Sequence, residues 1–307
     1  MQTQMRDMEY FAAIAEHGQV QRAAAALGLS QPALSKGLRR LEQAVNAKLL
    51  KRTPKGVELT SVGAALLARV RTLRLSLDDV TREIADLSEG RAGHLRIGAV
   101  AGAGLHLVPM ACETLLKASP KVTLKITVQD TNVLLANLRN GELDLAVTNL
   151  QGAHHEELVE EHTHDDAWVI YASANHRFAK RKSLTLADLA RERWALPSAN
   201  SVVVRIMSEE LGRRGLPPPI VAVETTYLPA RQYLVAATDL LAIGIRPSVR
   251  HGAARFGIVE LRVKDFTLTR RGGVIYRKDA YLSPAARRFI EILKATVREI
   301  SRAPASS

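Results

Sequence analysis

The sequence predicts an α+β chain of several domains, and three observations carry that prediction. Short helical patterns fill the first sixty residues, one stretch repeats leucine or valine at heptad spacing, and from residue 94 onward β-runs alternate with helical ones. The 307 residues allow two or three domains of about 100–200 residues each. Hydrophobic residues make up 47% and charged residues 24%, ordinary values for a globular chain, so disorder is expected only in the "APASS" tail, 303–307. The single cysteine, Cys112, excludes an intramolecular disulfide and a thiolate metal cluster. It reads as a small buried hydrophobe, in a chain suited to a reducing cytoplasm. "MQTQMRDMEYFAAIAEHG" lacks the apolar core of a signal peptide, and no uncharged apolar run is long enough to span a bilayer.

The net charge of +12 and pI near 10.1 make a polyanion a serious partner. Position sharpens the point. Lys36, Arg39, Arg40, Lys48, Lys51, Arg52 and Lys55 crowd one segment that holds Glu42 as its sole acid.

Taken in order, the first helix runs from Arg6 to His17, with Met8, Phe11, Ile14 and Ala15 as its apolar stripe and Gly18 as C-terminal cap. "VQRAAAAL" forms a second helix, ended by Gly28. Ser30 is placed to cap a third, where Pro32 is tolerated in the first turn because those amides have no intrahelical acceptor. Leu34, Leu38, Leu41 and Val45 recur at helical spacing and face the other helices. Gln31, Ser35, Lys36, Arg39, Arg40 and Gln43 are left outside. Two helices joined by a glycine turn, the second presenting polar and cationic groups, make a helix-turn-helix fit for the major groove. The alternative is the solvated face of an ordinary bundle. "LLKRTPKGVELTSVG" argues against it, since a Pro-Lys-Gly turn between two short strands sets Lys51, Arg52, Thr53 and Lys55 near a hairpin tip, as in a wing that contacts phosphates.

Thr60 is expected to cap a long helix in which Leu66, Val70, Leu73, Leu77, Val80, Ile84 and Leu87 fall at spacings of 4 and 3. Such a seam needs a second helix. A partner subunit supplies it most simply, giving a two-fold pair of reading helices suited to half-sites about 34–36 Å apart or a multiple of that. Beyond the break at "EGRAGH" come the β-runs "HLRIGAV", "VTLKITV", "LDLAVTN", "AWVIYAS", "IVAVET", "LLAIGI", "IVELRV" and "GGVIYRK", whose alternation with helices predicts mostly parallel sheet.

"AAAALGLSQPALSKGLRRLEQAVNAKLLKRTPKGVELTSVG" resembles the N-terminal signature of LysR-type transcriptional regulators, and "HLRIGAV", "NGELDLAV" and "SLTLADLARERWALP" resemble pieces of the family's effector-binding domain. The resemblance implies a winged helix-turn-helix over 1–60, a linker helix over 61–90 that mediates dimers, and a regulatory domain over 91–302. That domain is expected to resemble a type 2 periplasmic binding protein, with subdomain I over 91–163 and 268–302 and subdomain II over 164–267. It further implies dimers assembled into tetramers on promoter DNA, a small-molecule effector in the inter-subdomain cleft, activation of a neighbouring operon, and no cofactor or membrane. By the same resemblance Gln31, Pro32, Ser35 and Lys36 contact DNA, with Arg22 and Lys55 as phosphate contacts, and the outer helix face and the hairpin tip add Arg39 and Arg52. Two departures stand out: Leu50 occupies a position where the family usually has Phe, and "AVAGAG" replaces a loop where many members carry Ser or Thr toward the effector.

The residues themselves suggest how a cleft would bind. Ala101, Gly102 and Ala103 can offer backbone amides. Thr131 and Asn132 follow Asp130 at the mouth of a helix and, with Thr148 at a strand end, are candidate ligand contacts. Ser198 and Ser201 precede another helix, and Thr226, Tyr227 and Arg231 follow, Arg231 being the obvious cation for an anionic effector. "HHEELVEEHTHDD" collects four histidines, but without thiols or helical spacing it reads as a solvated surface segment that binds no metal. Arg270, Arg271, Arg277, Lys278, Arg287 and Arg288 read as a solvated cationic face, with flanking DNA or RNA polymerase as the alternative. The rival functions are a solute-binding protein or enzyme using the same cleft, for which no catalytic motif is found, and an architectural DNA-binding protein without an effector.

Overall fold

The structure, a computed structural model, describes residues 5–54, 56–89, 93–150, 155–264, 266 and 268–302. The chain divides into two compact units, Met1–Arg82 and Glu83–Ser307.

The first unit begins with α1 (Met5–His17), α2 (Val20–Ala26) and α3 (Gln31–Ala44). Gly18 and Gly28 end the first two helices in the left-handed region, at φ 66° and 63°, which costs a glycine nothing. Ser30 caps α3, its hydroxyl accepting from the Ala33 amide at 3.4 Å. Phe11, Ile14, Leu34 and Leu41 are buried completely or nearly so, each worth about 1.5–3 kcal/mol over exposure. Gly37 lets α3 approach α1 closely, because a Cβ there would meet the Tyr10 ring and the Asp7 carboxylate. Buried Asp7 accepts from Arg40 at 2.6 and 3.0 Å. Arg40, expected among the free outer cations, is therefore committed to the helix–helix joint. Val45, expected inside, is exposed at the C-cap.

An antiparallel hairpin of β1 (Leu50–Thr53) and β2 (Gly56–Leu59) follows. Thr60 then caps α4 (Ser61–Glu89), its hydroxyl accepting from the Gly63 amide at 3.0 Å. The heptad seam has two fates. Val70 is buried and Leu66 half-buried in the core of the first unit, against Phe11, Leu41 and Leu49. Leu73, Leu77, Val80, Ile84 and Leu87 are 47–78% exposed. Assigning Val70 and Leu66 to a subunit seam is therefore corrected: their own domain covers them.

The second unit continues with β3 (His94–Ala99), α5 (Ala101–Leu105), α6 (Leu107–Ala118), β4 (Thr123–Val128), α7 (Thr131–Arg139), β5 (Leu145–Asn149) and β6 (Leu158–Ser173). Next come α8 (Leu186–Leu189), β7 (Arg193–Leu196), α9 (Val202–Arg213), β8 (Ile220–Glu224), α10 (Leu228–Ala237), β9 (Ala242–Ile245) and α11 (Arg246–Phe256). The unit closes with β10 (Ile258–Glu260), β11 (Leu268–Arg277) and α12 (Pro284–Arg302). One sheet runs β10-β6-β11-β5-β3-β4, with β9 also paired to β6. Its β3–β4 and β3–β5 pairs are parallel, but every pair involving β6 or β11 is antiparallel. The expected parallel sheet is thus a mixed one, because the long strands β6 and β11 run antiparallel through the unit. A separate parallel pair joins β7 to β8. The histidine-rich stretch, expected as a solvated segment, lies largely within β6 from Leu158 onward, while His154 lies outside the described residues. Two large cores result, one around Leu95, Val108, Leu115 and Phe289, the other around Ile170, Trp194, Met207 and Leu241, with a cleft at the crossover.

Candidate DNA-binding face and effector cleft

In the first unit, α3 turns Gln31, Pro32, Lys36 and Arg39 fully outward and leaves Ser35 half-exposed. The stripe Leu34, Gly37 and Leu41 fixes that orientation by facing the core. Arg22 on α2 and Arg52 on β1 are exposed as well. Lys51 pairs with Glu58 across the hairpin at 2.9 Å, and Lys55 lies outside the described residues. Four polar or cationic side chains on one ridge, with no competing acid among them, suit a helix laid against base edges and phosphates.

In the second unit a cavity of about 90 Å³ opens where the ends of β3 and β5 meet β9 and the starts of α9 and α10. Ala101, Gly102, Thr131, Ser201, Thr226 and Arg231 of the anticipated residues line it. Gly102 has no room for a side chain, since a Cβ would press on Ile245. Its carbonyl instead accepts from Ser248 at 3.1 Å, joining the two halves. The rings of His106 and His251 stack across the same joint, centroids 4.9 Å apart.

Other anticipated residues stand elsewhere. Ala103 is buried behind the loop, Asn132 and Tyr227 point to solvent, and the Ser198 hydroxyl accepts from the Asn200 amide at 3.3 Å. Thr148 is buried and bonded to Thr131, oxygen to oxygen 2.8 Å, so it positions Thr131 without lining the cavity. Asp130 occupies the N-cap position of α7 without a side-chain cap and faces the cavity. Burial pushes its carboxyl upward in pKa, against the pull of Arg231.

Two polar lining residues escape a reading of the sequence. Asn149 ends β5, the strand-end position at which α/β sheets place ligand contacts. Arg270, expected on a solvated face, is instead 5% exposed and forms part of the cavity wall. The signal was present in the period of the strand, because Arg270 and Arg271 must face opposite sides; which one faces inward depends on the register with β6. Buried polar atoms converge on the cavity. The Ser201 hydroxyl, the Asn149 Oδ1, the Arg231 Nε and the Arg270 Nε have no hydrogen-bond partner within the described residues. Buried polar groups without partners are rare in folded proteins, and two guanidinium donors beside a serine form a receptor for an acceptor-rich ligand.

A winged helix-turn-helix unit followed by a two-core α/β unit with a polar cleft defines a class, the one-component regulator that reads DNA with one part and a small molecule with the other. The pattern of the bacterial regulatory helix-turn-helix protein, lysR family, matches residues 5–64, and that of the LysR substrate binding domain matches residues 88–298. The chain is 32% identical over 289 residues to the SDS degradation transcriptional activation protein of a Pseudomonas species, with 92% of each chain covered. Its fold is similar to that of full-length CbnR complexed with its target DNA, at TM-score 0.61 and 20% identity over 95% of this chain and 99% of that one. It is also similar to the effector-binding domain of QuiR in complex with shikimate, at TM-score 0.58 and 19% identity over 67% of this chain and 98% of that one. The chain belongs to the LysR family of transcriptional regulators and is not an enzyme. No helix among the described residues is long and apolar enough to cross a membrane.

Proposed function

We propose that this regulator binds promoter DNA as a dimer assembled into a tetramer and activates a neighbouring operon when a small organic anion enters the cleft beside Arg231 and Arg270. The observation that carries the reading is the pair of buried, partnerless guanidinium Nε atoms in one cavity wall. A ligand without acceptor atoms there would leave both unpaired at a cost of about 1–3 kcal/mol each, and a carboxylate makes the strongest bonds to a guanidinium among small organic acceptors. The carboxylate-bearing shikimate in the QuiR domain and the activating role in the name of the Pseudomonas relative support the same reading. On the DNA side, Gln31, Ser35 and Lys36 read base edges while Pro32 seats the helix start, and Arg22, Arg39, Arg52 and Lys55 neutralise phosphates. Contact with RNA polymerase belongs to the surface of the assembled tetramer.

Footprinting on the promoter region next to the gene, with a panel of carboxylates, tests the proposal. The expected result is protection at a two-fold site whose pattern changes with a particular carboxylate. Arg231→Gln should abolish that change and leave protection intact. Protection that is sequence-indifferent and unmoved by any anion would instead establish an architectural DNA-binding protein.

A further inference from the structure

Arg231 and Gln232 are neighbours on α10, and about 100° of helical rotation sets their side chains on different faces. Arg231 walls the cleft. Gln232 is fully buried and donates from Nε2 to the Ser248 carbonyl at 3.0 Å; a carbonyl only accepts, so the amide nitrogen must be the end that faces it. Ser248 is also buried, in the first turn of α11, and its hydroxyl donates to the Gly102 carbonyl of α5 at 3.1 Å. Two hydrogen bonds in series thus run from the helix that carries the cleft cation, through α11, to the opposite half of the unit.

The space around Gln232 is made for an amide. At Gly252, one turn further along α11, a Cβ would lie 2.7 Å from the Gln232 Nε2 and 3.0 Å from its Cδ, so the glycine is what admits the side chain. Val235 and Val249, on the same two helices, belong to an apolar core with Tyr171 and Ile258. An amide is costly in that setting. The Gln232 Oε1 has no hydrogen-bond partner among the described residues, and a buried polar atom left so costs more than an apolar group of the same shape. Packing alone would favour methionine, which has nearly the same volume. What methionine cannot supply is the bond that holds the first turn of α11 and so keeps the Ser248 hydroxyl within reach of Gly102.

We infer that Gln232 is the positioning residue that couples the cleft to the joint between its halves. It sets α11 so that Ser248 holds Gly102, and a ligand that fixes Arg231 fixes Gln232 on the same turn of α10 and strengthens that joint. The consequence for a ligand rests on the cleft proposed above; the positioning of Ser248 does not.

Hydrogen exchange of the full-length protein without added ligand, read by mass spectrometry over α5, tests this, with footprinting on the promoter region next to the gene as the functional readout. A helix of five residues is not stable by itself, so its amides report what is packed on it. Gln232→Met should raise exchange across α5 by roughly fivefold, as Ser248→Ala should. The double variant should add nothing further, because both changes break one connection. Gly252→Ala, which pushes the amide aside, should give the same local rise. The unfolding temperature of Gln232→Met should stay at or above that of wild type, and its ligand-free footprint should shift as that of Ser248→Ala does. The inference is overturned by unchanged exchange over α5 in Gln232→Met, by effects that add in the double variant, by faster exchange throughout the unit with a lower unfolding temperature, or by a footprint identical to wild type. None of these outcomes involves a carboxylate. The cleft reading fails by a different result, a carboxylate-dependent footprint that Arg231→Gln leaves unchanged.

Discussion

Burial decides what the ionisable side chains of the regulatory unit can do. The Cys112 thiol, on the buried face of α6, is pushed up to about 11 by desolvation, so it stays protonated and inert at neutral pH. His164 is driven down to about 4, first by burial and then by Arg270 and His162, with Asp165 opposing. Its folded value lies below the ordinary one near 6.5, so the unfolded chain takes up the proton first on acidification. The stability this neutral imidazole contributes is complete above about pH 6.5 and is lost as the pH falls toward 4. Replacing it with glutamine, which keeps hydrogen-bonding capacity without the titration, should flatten the pH dependence of unfolding in that window by up to about 1.4 kcal/mol per pH unit. Denaturant titrations at half-unit steps check this, and parallel curves for wild type and His164→Gln would contradict it. The same strand marks the limit of reading residues one at a time. The run "HTHDD" looks like a wet loop until its backbone is known to pair with β11, and Arg270 looks like one more surface cation until its register opposite Asp166 is fixed.

At the scale of an element, α4 carries the most informative pattern and the most instructive error. Heptad spacing in the sequence reveals an apolar seam but not who covers each turn of it. The wing and α1 take Leu66 and Val70, while five further aliphatic residues from Leu73 to Leu87 stay exposed on a single chain. That exposure is what a helix awaiting an equivalent helix would show. Leu77→Glu, at the middle of the exposed stretch and 53% exposed, should therefore leave the fold of one chain intact while breaking the pairing. Sedimentation should move from dimer or larger to the protomer mass, and operator affinity should fall at least a hundredfold as two linked half-site contacts become independent. An unchanged mass would locate the subunit contact elsewhere. α3 was readable for a different reason. Its polar face is set by a continuous apolar stripe and a serine cap, both local signals, whereas the Arg40–Asp7 bond spans 33 positions and has no local trace.

The molecule as a whole links a DNA-reading unit to a ligand-reading one, and thermodynamics constrains that link whatever its geometry. A ligand shifts the protein between two arrangements only by binding one of them more tightly. The cleft offers such a difference, since Gly102–Ser248 and the His106–His251 stack tie its halves together while the Arg231 and Arg270 Nε atoms in its wall have no hydrogen-bond partner among the described residues. If the effector changes operator affinity by a factor α, operator DNA must change effector affinity by the same α. Family members of this design are expected to show coupling of about 1–3 kcal/mol, or roughly 5- to 150-fold. Calorimetric titration of the identified carboxylate into free protein and into the protein–operator complex should thus give dissociation constants whose ratio equals the ratio of operator affinities with and without that carboxylate. Gly102→Ala, which forces a Cβ onto Ile245 and disfavours the closed joint, should reduce both ratios together. A variant that lowered one ratio and spared the other would mean that the carboxylate acts through some equilibrium other than closure of this cleft.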